Sequence, residues 1–360
     1  MPNHSLLCPL DDAALHPRWT LAVIAGFTGL LLFVAMSRPI GTPHRGGEGD
    51  VGLYQAIVER VRGGENYYSI LAEELPARGY PTTSIFNWRT PLPMWLIGVL
   101  PLGVAKGLLT ATALCVVLLT YGVMQREAGM LTALLAVFLL IGALIPCLLG
   151  NLYVMPVVWS GTLIALSIVG YGTNRTWLGV SAGLAALFLR DLAAGYVLIS
   201  LALAIWNKRW RELGFWCGGL AGYALFFAVH TSMVLSLVRP DAVAHEGGWV
   251  RFGGAAFLIG ICQMNCFLLV RPIWLSALYL VAVLFGALGW KSSFGRRTTL
   301  VVTGYLVAFA VVGQAFNQYW GSLLAPLFCL TAARFPGVLD KLVRSAGGTA
   351  MGGQVPQAID

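Results

Sequence analysis

The chain predicts an all-α, polytopic membrane protein of about ten transmembrane helices, with interfacial helices in its first outer loop. Three observations carry that prediction. Of its 360 residues, 58% are hydrophobic and only 11% charged, whereas a soluble domain carries roughly 25% charged residues. Ten apolar stretches approach the ~20 residues needed to cross a bilayer. The basic residues fall in clusters between those stretches, as they do where helices meet the cytoplasm. That scatter makes the formal net charge of +8 a topological signal, and nucleic-acid binding is set aside.

In chain order the candidate crossings lie near 19–37, 102–123, 130–149, 153–171, 177–190, 192–206, 214–237, 273–290, 299–315 and 321–334. The first, from Trp19, is followed by no small-residue cleavage site and reads as a signal anchor. The stretch 177–206 must form two brief crossings that turn near Arg190 and Asp191. Residues 1–340 make one domain, and the glycine-rich stretch 341–360 reads as a disordered cytoplasmic tail. The seven cysteines lack metal-ligand spacing. Cys262 and Cys266 share a helical face four residues apart, a pattern of small core residues rather than a metal site.

Arg126, Arg175, the run Lys208-Arg209-Trp210-Arg211, Lys291 with Arg296 and Arg297, and Arg334, Lys341 and Arg344 alternate consistently if all are cytoplasmic. Residues 38–101 and 238–272 then lie outside. The second contains "GGAAFLIGICQMNCFLLV", apolar enough to cross. A crossing there would move Lys291, Arg296 and Arg297 to the outer face. A helix along the interface, or one re-entering it, is therefore expected.

The first outer loop has its own pattern. Tyr54, Ile57, Val58 and Val61 recur at helical spacing, opposite Gln55, Glu59, Arg60 and Arg62. A helix lying flat on the bilayer is expected over 51–62. "MWLIGVLP" follows as a second apolar helix, too short to span.

Six of the fifteen acidic residues occupy this loop: Glu48, Asp50, Glu59, Glu65, Glu73 and Glu74. Asp50 opens the flat helix after Gly46, Gly47 and Gly49. A carboxylate at the membrane–water boundary suits proton abstraction from a sugar hydroxyl; equally, Asp is a preferred helix cap. The other outer ends carry Arg89 in "FNWRTPLP", Asn151 in "GNLYV", Arg190 with Asp191 in "LFLRDLAAGY", His230, and Asn317, Gln318, Tyr319 and Trp320 in "FNQYWGSLLAP". Charges in an apolar chain are costly and usually mark a functional cavity. Cations opposite an acid suit an anionic phosphate leaving group beside a general base. Each residue also has a plainer reading. Arg190 and Asp191 can neutralise each other, Arg89 can snorkel to headgroups, and Tyr319 and Trp320 fit an aromatic belt.

An anchor, then an outer loop with an early Asp followed by "LYQAIVERVRGGENYY" and "FNWRTPLPMWLIGVLP", resembles the C superfamily of membrane glycosyltransferases. The likeness is strongest to glycosyltransferase family 87 and its polyprenyl-phosphate-mannose-dependent members. "GNLYVMPVVWSGTLIAL", "GVSAGLAALFLRDLAAGYVLISLALAIWNKRWRE" and "FNQYWGSLLAPLFCL" follow in matching order, over roughly residues 19–334. The resemblance implies an inverting transferase in a cell (inner) membrane, with its active site on the extracytoplasmic face. It would move a hexose, mannose-like, or a pentose from a polyprenyl-phosphate sugar to a glycan or glycolipid acceptor, among membrane lipids. Carried over, Asp50 is the base and Glu48 assists it or holds a metal with it. Arg190 contacts the donor phosphate, with Arg89, Asn151, His230, Gln318 and Tyr319 around the substrate. Relatives often carry His where Gln318 stands, which weakens a phosphate contact there. No cofactor is expected; a divalent metal is the less favoured alternative, since Asn151 stands where a second carboxylate would. Three other classes compete: a transporter or flippase, a non-catalytic membrane subunit, and a polysaccharide polymerase or ligase. The first lacks a convincing internal repeat here, and the last would place its large outer loop late in the chain.

Overall fold

The computed structural model describes residues 16–37, 49–244 and 251–351, and the regular structure among them is entirely helical. Four helices are long and apolar enough to cross a membrane: α1 (Pro17–Ser37), α5 (Leu102–Ala128), α6 (Met130–Leu148) and α10 (Trp210–Leu235). A fifth crossing arises if a 3-10 segment, Ala315–Leu323, and the helical stretch Ala325–Gly347 that follows it, which begins with α15 (Ala325–Ala332), count as one span bent by 67°. The chain is therefore built as a helical membrane protein. Apolar helices stand in the other expected places, but α7 (Pro156–Gly172), α8 (Thr176–Leu189), α9 (Ala194–Trp206) and α13 (Ile273–Gly286) are shorter. A 14-residue helix rises only about 21 Å, against roughly 30 Å of hydrocarbon. Helix α14 (Ser293–Val311) has the length but carries Arg296 and Arg297 near its start.

The helices share two distinct ends. At one, Arg126 donates to the Gly172 carbonyl closing α7 (3.3 Å), and Arg334 donates to the Gly286 carbonyl closing α13 (2.6 Å). There too Arg297, early in α14, meets Glu212, early in α10. This basic end matches the expected grouping of cations. The other end is covered by a roof built from the first outer loop.

That roof consists of α2 (Gly49–Arg62), α3 (Tyr67–Ala77), a 3-10 turn over Ile85–Asn87, and α4 (Pro91–Val99). The amphipathic helix forms as its spacing predicts, but its apolar face does not lie against lipid. Leu53, Tyr54, Ile57, Val58 and Val61 are buried against α4 and α3. Gly98 permits this approach, since a Cβ there would sit 2.7 Å from Val61 Cγ1. An amphipathic pattern says that a face needs cover, not what covers it.

The second segment expected outside folds back into the helix bundle. Helix α11 (Gly254–Cys262) starts beside the close of α14, where Gly313 N–H donates to Arg251 O (2.9 Å). Nine residues later the chain turns, and Asn265 Nδ2 donates to Leu139 O, halfway along α6 (3.0 Å). Helix α12 (Cys266–Leu269) then leads back toward Pro272. Non-helical backbone at that depth is tolerated because protein surrounds it. Finally, helix α16 (Phe335–Met351) runs past residue 340 into the start of the stretch expected as a tail. Its Phe335 and Leu342 pack against the core. Leu342 lies seven residues beyond Phe335, on the same helical face.

Candidate functional site

The site is organised under the roof. Gly79, with φ of +73°, closes α3 in the left-handed conformation, and the next amide, Tyr80 N–H, returns to Leu75 O (2.9 Å). This turn swings Tyr80 over the start of α2, where its hydroxyl donates to Asp50 Oδ1 at 2.7 Å. Burial, then the Asp50 charge, push the Tyr80 hydroxyl far above the usual phenol range. It therefore stays protonated and holds the carboxylate as a donor. Asp50 lies in the first turn of α2, where the helix dipole favours a negative charge.

One helical turn on, Tyr54 stands between this acid and the cations. Its hydroxyl accepts from Arg89 Nε at 2.9 Å, and it lies within electrostatic range of Asp50, Tyr319 and Arg190. Burial raises the Tyr54 hydroxyl above the phenol range despite the Arg89 charge, so it is a neutral bridge. The Arg89 guanidinium also donates to Phe86 O (2.6 Å) and to Tyr319 Oη (3.4 Å). Tyr67 fixes the same stretch of the roof by donating to Arg89 O (2.7 Å).

Arg190 and Asp191 occupy the turn between α8 and α9, as the sequence predicts. They pair at 3.3 Å, with Arg190 only 5% exposed. Burial alone would raise the Asp191 carboxyl, but Arg190 and Arg89 hold it below the usual carboxylate range. Two buried donors in this group have no partner among the described residues: Arg190 Nε and Tyr223 Oη, the latter within electrostatic range of Asp191. Orphaned buried donors are rare and call for an acceptor. A cleft lined by Phe86, Trp88, Arg89, Pro156, Arg190 and Asp191 lies beside them. Its volume, about 10 Å³, admits roughly one water. Asp50 is not among its lining residues.

His230 lies fully buried in α10 and ties the roof to the bundle. Its Nδ1 pairs with Tyr68 Oη (3.1 Å) and its Nε2 with Trp88 O (3.0 Å). This makes it a structural neighbour of the cleft. Gln318 turns elsewhere: its Nε2 donates to Gly260 O and Gln263 Oε1, both at 2.8 Å, on the re-entrant segment. Asn151 is exposed beside a 3-10 turn, with no side-chain capping bond. Glu48 lies outside the described residues, and no three His, Cys, Asp or Glu side chains gather among those described.

The fold thus brings Asp50, Arg89, Arg190 and Tyr319 into one group, puts His230 beside it, and leaves Gln318 and Asn151 apart from it. Sequence reasoning missed Tyr80 altogether and took Tyr54 for an apolar-face residue. The one usable signal was Gly79 before Tyr80, a left-handed cap that sends the chain back over its own loop. The chain matches no family model, no curated protein and no solved structure.

Proposed function

We propose that the chain is an inverting glycosyltransferase that takes its sugar from a polyprenyl-phosphate donor, with Asp50 as the general base. One observation carries the reading. An acid held by a neutral tyrosine lies within electrostatic range of Tyr54, which accepts from Arg89 and is also within range of Arg190, whose buried Nε has no partner among the described residues. In the proposed reaction Asp50 takes the proton of an acceptor hydroxyl. The oxygen attacks the anomeric carbon, and the bond from that carbon to the phosphate oxygen breaks. The electron pair leaves with the polyprenyl phosphate, whose charge Arg190 and Arg89 offset. Ten helices would serve as crossings, with the basic end in the cytoplasm and the roof outside. Since the cleft admits about one water, the reading requires the roof to part from the α8–α9 turn when donor enters.

The test uses purified protein in liposomes with a panel of polyprenyl-phosphate sugars, measuring release of free polyprenyl phosphate. Asp50→Asn is expected to lower the rate by about a hundredfold to ten-thousandfold without unfolding the protein, because Asn can still accept from Tyr80. Full activity in that variant sinks the assignment.

A second reading, translocation of a lipid-linked or small polar substrate, is favoured by one feature. Two interrupted segments, α11 with α12 and the bent pair around Leu324, meet where Gln318 reaches Gln263. Movement of donor between leaflets without release of lipid phosphate would support it over transfer.

A further inference from the structure

At the basic end, away from the roof, lies an open depression of about 310 Å³. It is lined by Thr176, which opens α8, and by Arg209, Trp210, Arg211 and Glu212, which open α10. Both helices start without a side-chain cap, since Arg175 and Arg209 occupy the cap positions and make no capping bond. The first amides of each helix thus lack an intrahelical partner.

The charge balance in the depression is positive. Glu212, its one acid, is 4% exposed and already committed. It accepts from Tyr171 Oη (2.6 Å) and pairs with buried Arg297 (3.4 Å), whose guanidinium also stacks on the Tyr171 ring at 3.5 Å. Arg209 approaches the same carboxylate at 3.4 Å while half exposed. One carboxylate therefore faces two arginines, and exposed Arg211 adds a third cation with no ion-pair partner among the described residues. Trp177, Trp206 and Trp210 are exposed by 74%, 52% and 64% at this same end. Exposed tryptophans beside arginines mark headgroup depth in a membrane protein.

We propose that this depression binds the phosphodiester headgroup of an anionic phospholipid from the adjacent leaflet. Arg209 and Arg211 would meet the phosphate, the open amides of α8 and α10 would complete its coordination, and Trp210 would lie along the glycerol and upper chain. The headgroup would bridge the starts of two helices that the chain connects only through α9. The inference rests on the membrane reading alone and is independent of the transferase chemistry.

The test places the full-length protein in lipid nanodiscs of phosphatidylcholine, with or without phosphatidylglycerol. It measures the thermal midpoint and, after delipidation, the phosphatidylglycerol retained per protein by mass spectrometry. Wild type is expected to retain phosphatidylglycerol and to gain thermal stability from it. Arg211→Gln should weaken retention about fivefold, and Arg209→Gln with Arg211→Gln about twentyfold. Arg296→Gln removes the same charge from the same end, outside the depression, and should leave retention unchanged. Should the double variant fail to fold, the single Arg211→Gln variant, which leaves the Arg209–Glu212 pair intact, decides the matter. Equal loss in Arg296→Gln, undiminished retention in Arg211→Gln, or full stabilisation of wild type by inorganic phosphate alone would overturn the proposal.

Discussion

At the scale of single residues, the site turns on a hydroxyl that the sequence did not advertise. Tyr80 donates to Asp50, and a hydrogen bond to the charged form of a carboxylate favours that form. Under the proposed chemistry, Tyr80→Phe removes the donor that orients the Asp50 carboxylate, so the loss should fall on kcat, and Asp50→Asn should cost less in the Tyr80→Phe background than in wild type. At neutral pH the rate should fall about tenfold, with donor KM unchanged. A fall in rate that comes with an equal loss of thermal stability or a raised donor KM would make Tyr80 a packing residue only. Asp50, Arg89, Arg190 and Tyr319 were legible because charge and hydrogen-bonding capacity stand out in an apolar chain. Tyr54 and Tyr80 were not, because an aromatic side chain satisfies hydrophobic spacing whether or not its hydroxyl has work. Gln318 was misplaced for a different reason. Its position along the chain is at an outer turn, yet the 3-10 segment carrying it packs against α11 and takes its amide to the re-entrant helix.

At the scale of elements, hydrophobic spacing located the α8–α9 hairpin and the roof helix well, and it located depth badly. Nothing in "GGAAFLIGICQMNCFLLV" distinguishes a surface helix from a re-entrant one. What decides is Asn265, which caps α12 by accepting from Phe267 N–H and binds Leu139 O on α6. Asn265→Ala should therefore cost about 1–2 kcal/mol, roughly one for the lost cap and the rest for the lost side-chain bond to α6, where the Leu139 carbonyl keeps its intrahelical donor. Thermal unfolding in detergent measures this, and a change under about 0.5 kcal/mol would mean the turn is held by apolar packing alone. The roof offers a second test through its ion pairs. Arg60 contacts Glu65 (2.5 Å), Glu73 (2.6 Å) and Glu74 (3.2 Å), and Arg78 contacts Glu74 (3.0 Å). Arg60 holds Glu65, and Arg78 with Arg60 holds Glu74, below the ordinary glutamate value of 4.5. Their stabilisation is fully present above that value and is lost as pH falls through the lowered pKa values. Amides at the α2–α3 junction should exchange faster, relative to intrinsic rates, at about pH 3.5 than at neutrality, and Arg60→Gln should abolish the difference. Because the pairs are partly exposed, added salt should shrink the effect.

At the scale of the whole molecule, the same cations that reveal orientation also hold the bundle together at one end. Arg126 and Arg334 tie to the carbonyls that close α7 and α13, and Arg297 crosses from α14 to Glu212 on α10 and Ser200 on α9. A basic cluster read only as a topological flag thus includes buried clamps between neighbouring helices, a role invisible without the fold. The opposite end is closed by the roof, where charged groups sit beside tyrosines and where Thr82 and Thr83 donate to Val243 O, joining the two segments expected outside. This asymmetry makes orientation a sharp question. If the helices alternate as their shared ends require, Thr83 and Arg296 lie on opposite faces of the membrane. In a background with Cys8, Cys115 and Cys217 replaced by Ala, Thr83→Cys should react with a membrane-impermeant maleimide added outside intact cells. Arg296→Cys should react only in inverted vesicles. Labelling of both from one side would mean that the α11–α12 segment crosses after all. Asp50 would remain on the face of Thr83, but the count of crossings and the cytoplasmic assignment of the basic end would both fail.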